Sequence, residues 1–206
     1  MQKSAVTAKI MSEPHKSMRC IISGSYPFLV PAAIFLLAAV YFASNTFSLF
    51  DFPLDDAWIH RVYSSSFAFG HGFQYNEGVQ EAGSTSPLWA VLTCLAHWLE
   101  LFGTRTVVVA VKSIAILLCL VSICAVQKLA RHASGSQAVG IIAASLFALE
   151  PRLLFSSLSG MEEPLLLSLW LCACWAFVSR KWRLSALLFG LMIYLQELGT
   201  SASLFR

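Results

Sequence analysis

Residues 20–50 read CIISGSYPFLVPAAIFLLAAVYFASNTFSLF, without one charged side chain. As a helix, the middle of this stretch, 26–47, is long enough to cross a hydrocarbon layer of about 30 Å. Lys3, Lys9, Lys16 and Arg19 precede it, a charge pattern shared with cleaved signal peptides. The apolar run outlasts the roughly 7–15 residues of a signal core, so it is read as an uncleaved first helix behind a cytoplasmic tail, 1–25.

The rest of the chain has the same character. Of its 206 residues 57% are hydrophobic and 12% charged, and the mean hydropathy is +0.70. Soluble domains carry about 25% charged residues. The apolar residues come in blocks, and four more spans are expected at 107–127, 137–155, 164–178 and 184–198. Lys128, Arg131 and His132 lie between two of these blocks, and Arg180, Lys181 and Arg183 between two others. The positive-inside rule places both basic connections and the N-terminus in the cytoplasm. The loops 48–106 and 156–163 then face outward.

The segment 87–102 is apolar but short, and it carries His97 and Glu100. Crossing the membrane there would put Lys128 and Arg131 on the wrong side, so it is read as an amphipathic helix in the outer interface. The expected fold is all-α and integral to the membrane, with about five transmembrane helices and this interfacial helix. The net charge of +3 forms no basic patch interleaved with aromatics, which gives no reason to expect a nucleic-acid partner. The six cysteines include no CxxC pair and read as small hydrophobes rather than as disulfide or zinc ligands.

Chemistry-bearing residues gather in the two outer loops. After Pro53, Asp55 and Asp56 open a short helix with an acidic N-cap, and the helix dipole favours their ionised forms. They either cap that helix or act as a base or cation ligand toward a substrate. His60 lies four residues beyond Asp56, on the same helix face. His71, between Gly70 and Gly72, is either a satisfied loop histidine or a ligand contact. Asn76, Glu77 and Gly78 read as a turn, and Gly83-Ser84-Thr85-Ser86-Pro87 as the start of the interfacial helix. Lys112 sits inside the second span, where a lysine costs about 2.5–3.5 kcal/mol unless it snorkels or faces a cavity. Glu162 and Glu163, ahead of Pro164, either cap the fourth span or join Asp55 and Asp56 in one acidic constellation; Glu150 and Arg152 are expected to pair.

The run Asp55-Asp56-Ala57-Trp58-Ile59-His60, then Gly70-His71-Gly72-Phe73, then Ala82-Gly83-Ser84-Thr85-Ser86-Pro87-Leu88-Trp89 resembles the first outer loop of bacterial GT-C glycosyltransferases. It is most similar to the branch holding the mycobacterial terminal arabinofuranosyltransferases. Gly160-Met161-Glu162 followed by Pro164-Leu165 resembles that branch's second outer-loop motif. The resemblance implies a multi-pass enzyme of the plasma (inner) membrane. Such an enzyme moves a sugar, with inversion, from a polyprenyl-phosphate donor to a glycan, lipid or protein acceptor on the outer face. Asp55 or Asp56 would be the base and Glu162 its assistant. His60, His71, Lys112 and Glu163 would contact substrate, with Lys112 at the donor phosphate. No metal ligand set is assigned, although a divalent cation would be compatible.

The chain departs from that pattern at Val62, where relatives carry Arg, at Glu163, where they carry a small residue, and at Leu195-Gln196-Glu197-Leu198, where they show Arg-Pro-Glu. With its polar tail from Gly199 to Arg206, the chain is expected to be the N-terminal part of a longer GT-C glycosyltransferase, its GT-C-like module, 26–206, truncated at the C-terminus and inactive alone. The competing expectation is a non-catalytic multi-pass scaffold or carrier component. Spans that are apolar apart from Lys112 speak against a transport path.

Overall fold

Helix α1 spans Leu29–Thr46, and its buried residues Ala32, Phe35, Ala39 and Ala43 recur along one face. Small side chains on that face let neighbouring helices approach closely, as membrane helices do. Leu36, Leu37, Val40 and Tyr41 are exposed on the remaining surface. A helix apolar on all sides is stable only inside a core or a bilayer.

The computed structural model describes residues 27–46, 48–76, 78–79 and 86–204, with side chains up to 193. The expected cytoplasmic tail, Glu77, the motif residues Ala82 to Thr85 and the side chains of Leu195 to Leu198 lie outside this description. After α1 come α2 (Asp55–Ala68), α3 (Pro87–Thr93), a 3-10 segment (Cys94–Phe102), α4 (Thr104–Ser134), α5 (Gln137–Ala148), α6 (Pro151–Ser159), α7 (Glu163–Val178) and α8 (Trp182–Leu204). The described residues contain no strand.

Helix α4 is the axis of the molecule. It packs against α5, α6, α7 and the 3-10 segment, α1 lies across α5 and α6, and α8 lies on α7. Toward its N-terminus Val107, Val108, Val111 and Ala115 join Phe52, Ala57, Trp89 and Leu165 in one core. Further along, Cys119 and Ile123 join Phe35, Ala39, Ala144, Ala148 and Leu153 in a second. Gly135, at φ +66°, ends α4 and turns the chain into α5. A Cβ on Gly140 would lie 2.9 Å from the Gln127 carbonyl, so α4 and α5 meet at a distance only glycine permits.

Five spans were expected, and the helices support fewer. Helices α1 and α4 are long and apolar enough to cross a membrane, and a third span results if α5 and α6 are taken together. The segment expected as one span over 137–155 is bent by 59°. Glu150 is extended and Pro151 opens α6, so the helical ladder cannot run through. Helix α7 has 16 residues, about 24 Å at 1.5 Å each, short of a hydrocarbon layer of about 30 Å. Side chains of α8 are described only over Trp182–Ile193, so the span expected at 184–198 lies partly outside the description. The second loop also contracts: α6 occupies its first half, 156–159, and only 160–162 is non-helical. Exposed apolar side chains such as Leu117, Ile142, Leu146 and Phe177 cover the bundle, so the chain is an all-helical, membrane-associated protein.

Candidate functional site at the polar end of the bundle

Where α6 gives way to α7, Gly160 adopts φ +82°. A Cβ there would lie 2.5 Å from the Phe52 ring and 3.2 Å from the Ala57 Cβ. Glycine is therefore required twice, for its left-handed backbone and for direct contact with the start of α2. The Trp89 indole N–H donates to the Gly160 carbonyl at 3.0 Å, inside the protein. Three segments distant in sequence thus meet on one residue: the turn 160–162, the entry to α2, and α3.

Helix α2 turns Ala57, His60 and Ser64 inward. His60 is 3% exposed, and its Nε2 lies 2.9 Å from Glu162 Oε2. The contact is short but its alignment is poor for a hydrogen bond. Burial pushes the Glu162 carboxyl up, while the adjacent His60 imidazole and the backbone at Glu162 pull it further down, leaving it below its ordinary value. His60 Nδ1 is buried without a hydrogen-bond partner. With the Nε2 proton toward the carboxylate, Nδ1 of the neutral ring is an acceptor.

A second charged group lies beside the first. Arg61 Nη2 donates to Glu100 Oε1 at 2.8 Å, and His97 Nδ1 lies 2.9 Å from Glu100 Oε2. The Arg61 guanidinium also sits over the Trp58 ring at 5.8 Å. The Thr93 hydroxyl reaches Ser64 Oγ at 3.1 Å and ties α3 to α2. Among the described residues, the buried side-chain polar atoms without a hydrogen bond belong to His60, Arg61, Ser86, His97 and Glu162. All of them are in this layer, and buried polar groups are normally satisfied, so this is where bonding capacity is left over.

The other expected site residues fall at varied distances from this centre. Asp55 and Asp56 are exposed in the first turn of α2. The N-cap is Leu54 rather than an acid, and no side chain makes a capping bond, so the two carboxylates serve α2 only through its dipole. Asp56 does not share His60's environment, since His60 turns inward to Glu162. Glu163 is exposed and accepts a hydrogen bond from Ser156 Oγ at 3.0 Å. It faces a cleft of about 250 Å³ with Glu150 and Arg152, away from Glu162. Glu150 and Arg152 do not form the expected ion pair. His71 is exposed in a turn where Gly70 and Gly72 have positive φ, and the Ser66 hydroxyl donates to the Gly72 carbonyl.

Lys112 is 3% exposed and does not reach solvent. Its Nζ donates to the carbonyls of Ser48 at 2.8 Å and Asp51 at 2.6 Å, and it lies 5.9 Å from the Phe52 ring. It ties the chain leaving α1 to α4 and so fixes the approach to α2. The five described cysteines are free thiols. No group of three His, Cys, Asp or Glu among the described residues is placed to hold a metal ion.

Sequence reasoning missed Gly160 as a packing pivot, Trp89 as its hydrogen-bond partner, and the Arg61–Glu100–His97 group. His97 and Glu100 are three residues apart, which was a usable sign of pairing. The pairing of His60 with Glu162 had no local sign. Fold and site together define an all-helical membrane-associated protein with one polar, histidine- and carboxylate-bearing end. No family model, curated protein or solved structure matches the chain.

Proposed function

We propose that the polar end is the site of a polyprenyl-phosphate-sugar-dependent glycosyltransferase of the GT-C type, or of its N-terminal part, acting on the outer face of the plasma membrane. The observation that carries this reading is the direct packing of Gly160-Met161-Glu162 on the Phe52, Ala57 and His60 side of the first loop. Ala57, His60 and Trp89 of the first motif, far in sequence from Gly160 and Glu162 of the second, meet them in one layer. In this reading Asp55, exposed at the mouth, takes the proton of the acceptor hydroxyl as the oxygen attacks the anomeric carbon, and the polyprenyl phosphate leaves. Asp56 adds negative charge beside it. His60, buried against Glu162, holds the first turns of α2 and so positions Asp55 at the surface. Lys112 supports the first loop through its backbone, and His71 and Glu163 contact substrate only at the periphery.

The decisive assay uses membranes of cells whose own gene carries Asp55→Asn or Glu162→Gln. Transfer of labelled sugar from the polyprenyl-phosphate donor should fall by about 10²-fold or more in each, the scale of a lost acid–base group. Undiminished transfer in both variants overturns the reading. The scaffold alternative has one observation in its favour, the engagement of Lys112 with protein carbonyls instead of an open cavity.

A further inference from the structure

The 3-10 segment Cys94–Phe102 has its polarity inside out. At three residues per turn, positions three apart form rows. Leu95, Trp98 and Leu101 make one row, and they are 57%, 75% and 94% exposed. Phe102, at the end of the segment, is 76% exposed. The neighbouring row holds His97, which is buried, and Glu100, which is bonded to Arg61. The sequence reading had one α-helix over 87–102; the structure divides it, with α-helix to Thr93 and 3-10 winding beyond. The change of winding is what sorts these side chains, because the 3-10 period stacks Leu95, Trp98 and Leu101 directly over one another.

We propose that this row is seated in the lipid interface of the bilayer that α4 enters. Three observations select lipid over other occupants. Only Gly103, exposed and at φ +102°, separates the segment from α4, so the row is fixed at the mouth of the longest apolar helix. The exposed surface of this row is wholly apolar, whereas the titratable side chains of the segment face the protein. An aromatic–aliphatic edge at that depth has the composition of an interfacial belt, with Trp98 at head-group level. The seat bears on the candidate site, because the same arm supplies Glu100 to Arg61, and α3 ahead of it supplies Trp89 to Gly160. It does not depend on the glycosyltransferase reading, since it concerns only where the arm rests.

The test is tryptophan quenching of the full chain in phosphatidylcholine vesicles, taking Trp98 as wild type minus Trp98→Phe. The Leu101→Trp variant adds a second probe at a position where no packing is disturbed. Lipid bromines near the head-group end of the acyl chains should quench both probes more than bromines near the methyl end, and aqueous iodide should quench neither. Quenching by iodide without quenching by bromine overturns the proposal in favour of a water-facing arm. Resistance to both quenchers, or bromine quenching that disappears as protein density rises, overturns it in favour of a contact between copies. Retention of the wild-type helical circular dichroism in both variants separates these outcomes from misfolding.

Discussion

Buried polar groups behave differently in the middle of the bundle and at its polar end. In the bundle, Ser122 donates to Leu118, Ser157 to Leu154 and Ser168 to Leu165, each within its own helix. Such bonds satisfy the hydroxyl locally and join nothing to anything else. At the polar end, Trp89 reaches Gly160, His60 meets Glu162, Arg61 meets Glu100, and Lys112 holds Ser48 and Asp51. Every one of these contacts joins separate segments, and several leave a donor or acceptor spare. Apart from Ser185, which bonds from α8 to the Ala173 carbonyl of α7, these bundle hydroxyls only avoid a desolvation cost, while the polar end uses its groups to hold a shape and keeps capacity for another partner.

Glycine substitutions should separate the two regions most widely. Gly160→Ala places a Cβ on the Phe52 ring and in a left-handed conformation; a loss of about 3 kcal/mol is expected from those combined costs. Gly190→Ala, in α8 with nothing within 4 Å of its would-be Cβ, should gain up to about 1 kcal/mol from helix propensity. Unfolding in detergent micelles reads both, and equal effects would erase the distinction. Next in size is Trp89→Phe, which shrinks the buried indole to a phenyl ring and leaves the Gly160 carbonyl unpaired, for a loss of about 1–3 kcal/mol.

A pH titration sharpens the comparison further. Because the folded Glu162 carboxyl lies below its ordinary value of 4.5, its contribution to stability is fully present above that value. It is lost as pH falls through the lowered one. Melting temperature measured down an acid series should therefore drop less in Glu162→Gln than in wild type; the same acid dependence in both would remove Glu162 from the account. The smallest effect belongs to the bundle. Ser122→Ala deletes a bond made within α4, and its cost should be about 0.5 kcal/mol or less.

Much of the bundle was legible in the sequence because lipid-facing helices carry their signal locally. The uncharged run around α1 and the basic residues ending α4 needed no partner to be recognised. The break before Pro151 was also written in the chain, but block hydropathy passes over a proline that the backbone cannot. The 3-10 winding was not legible, since an apolar spacing of three, as at Leu95, Trp98 and Leu101, occurs in both helix types and does not by itself select one. For the site, Asp55, Asp56, His60 and Glu162 were identified by residue type and position, yet their division was not. Which carboxylate meets His60 depends on the backbone of Gly160 folding onto Phe52, a contact between segments about a hundred residues apart that no local pattern encodes.

The central claim is that the first-loop and second-loop motifs form one coupled polar site. A double-mutant cycle on unfolding free energy, with His60→Ala, Glu162→Gln and both together, measures that coupling most directly. The account predicts a non-additivity of about 0.5–3 kcal/mol, as for groups in direct contact. Additive effects would mean that His60 and Glu162 act independently and that the two motifs do not make one site.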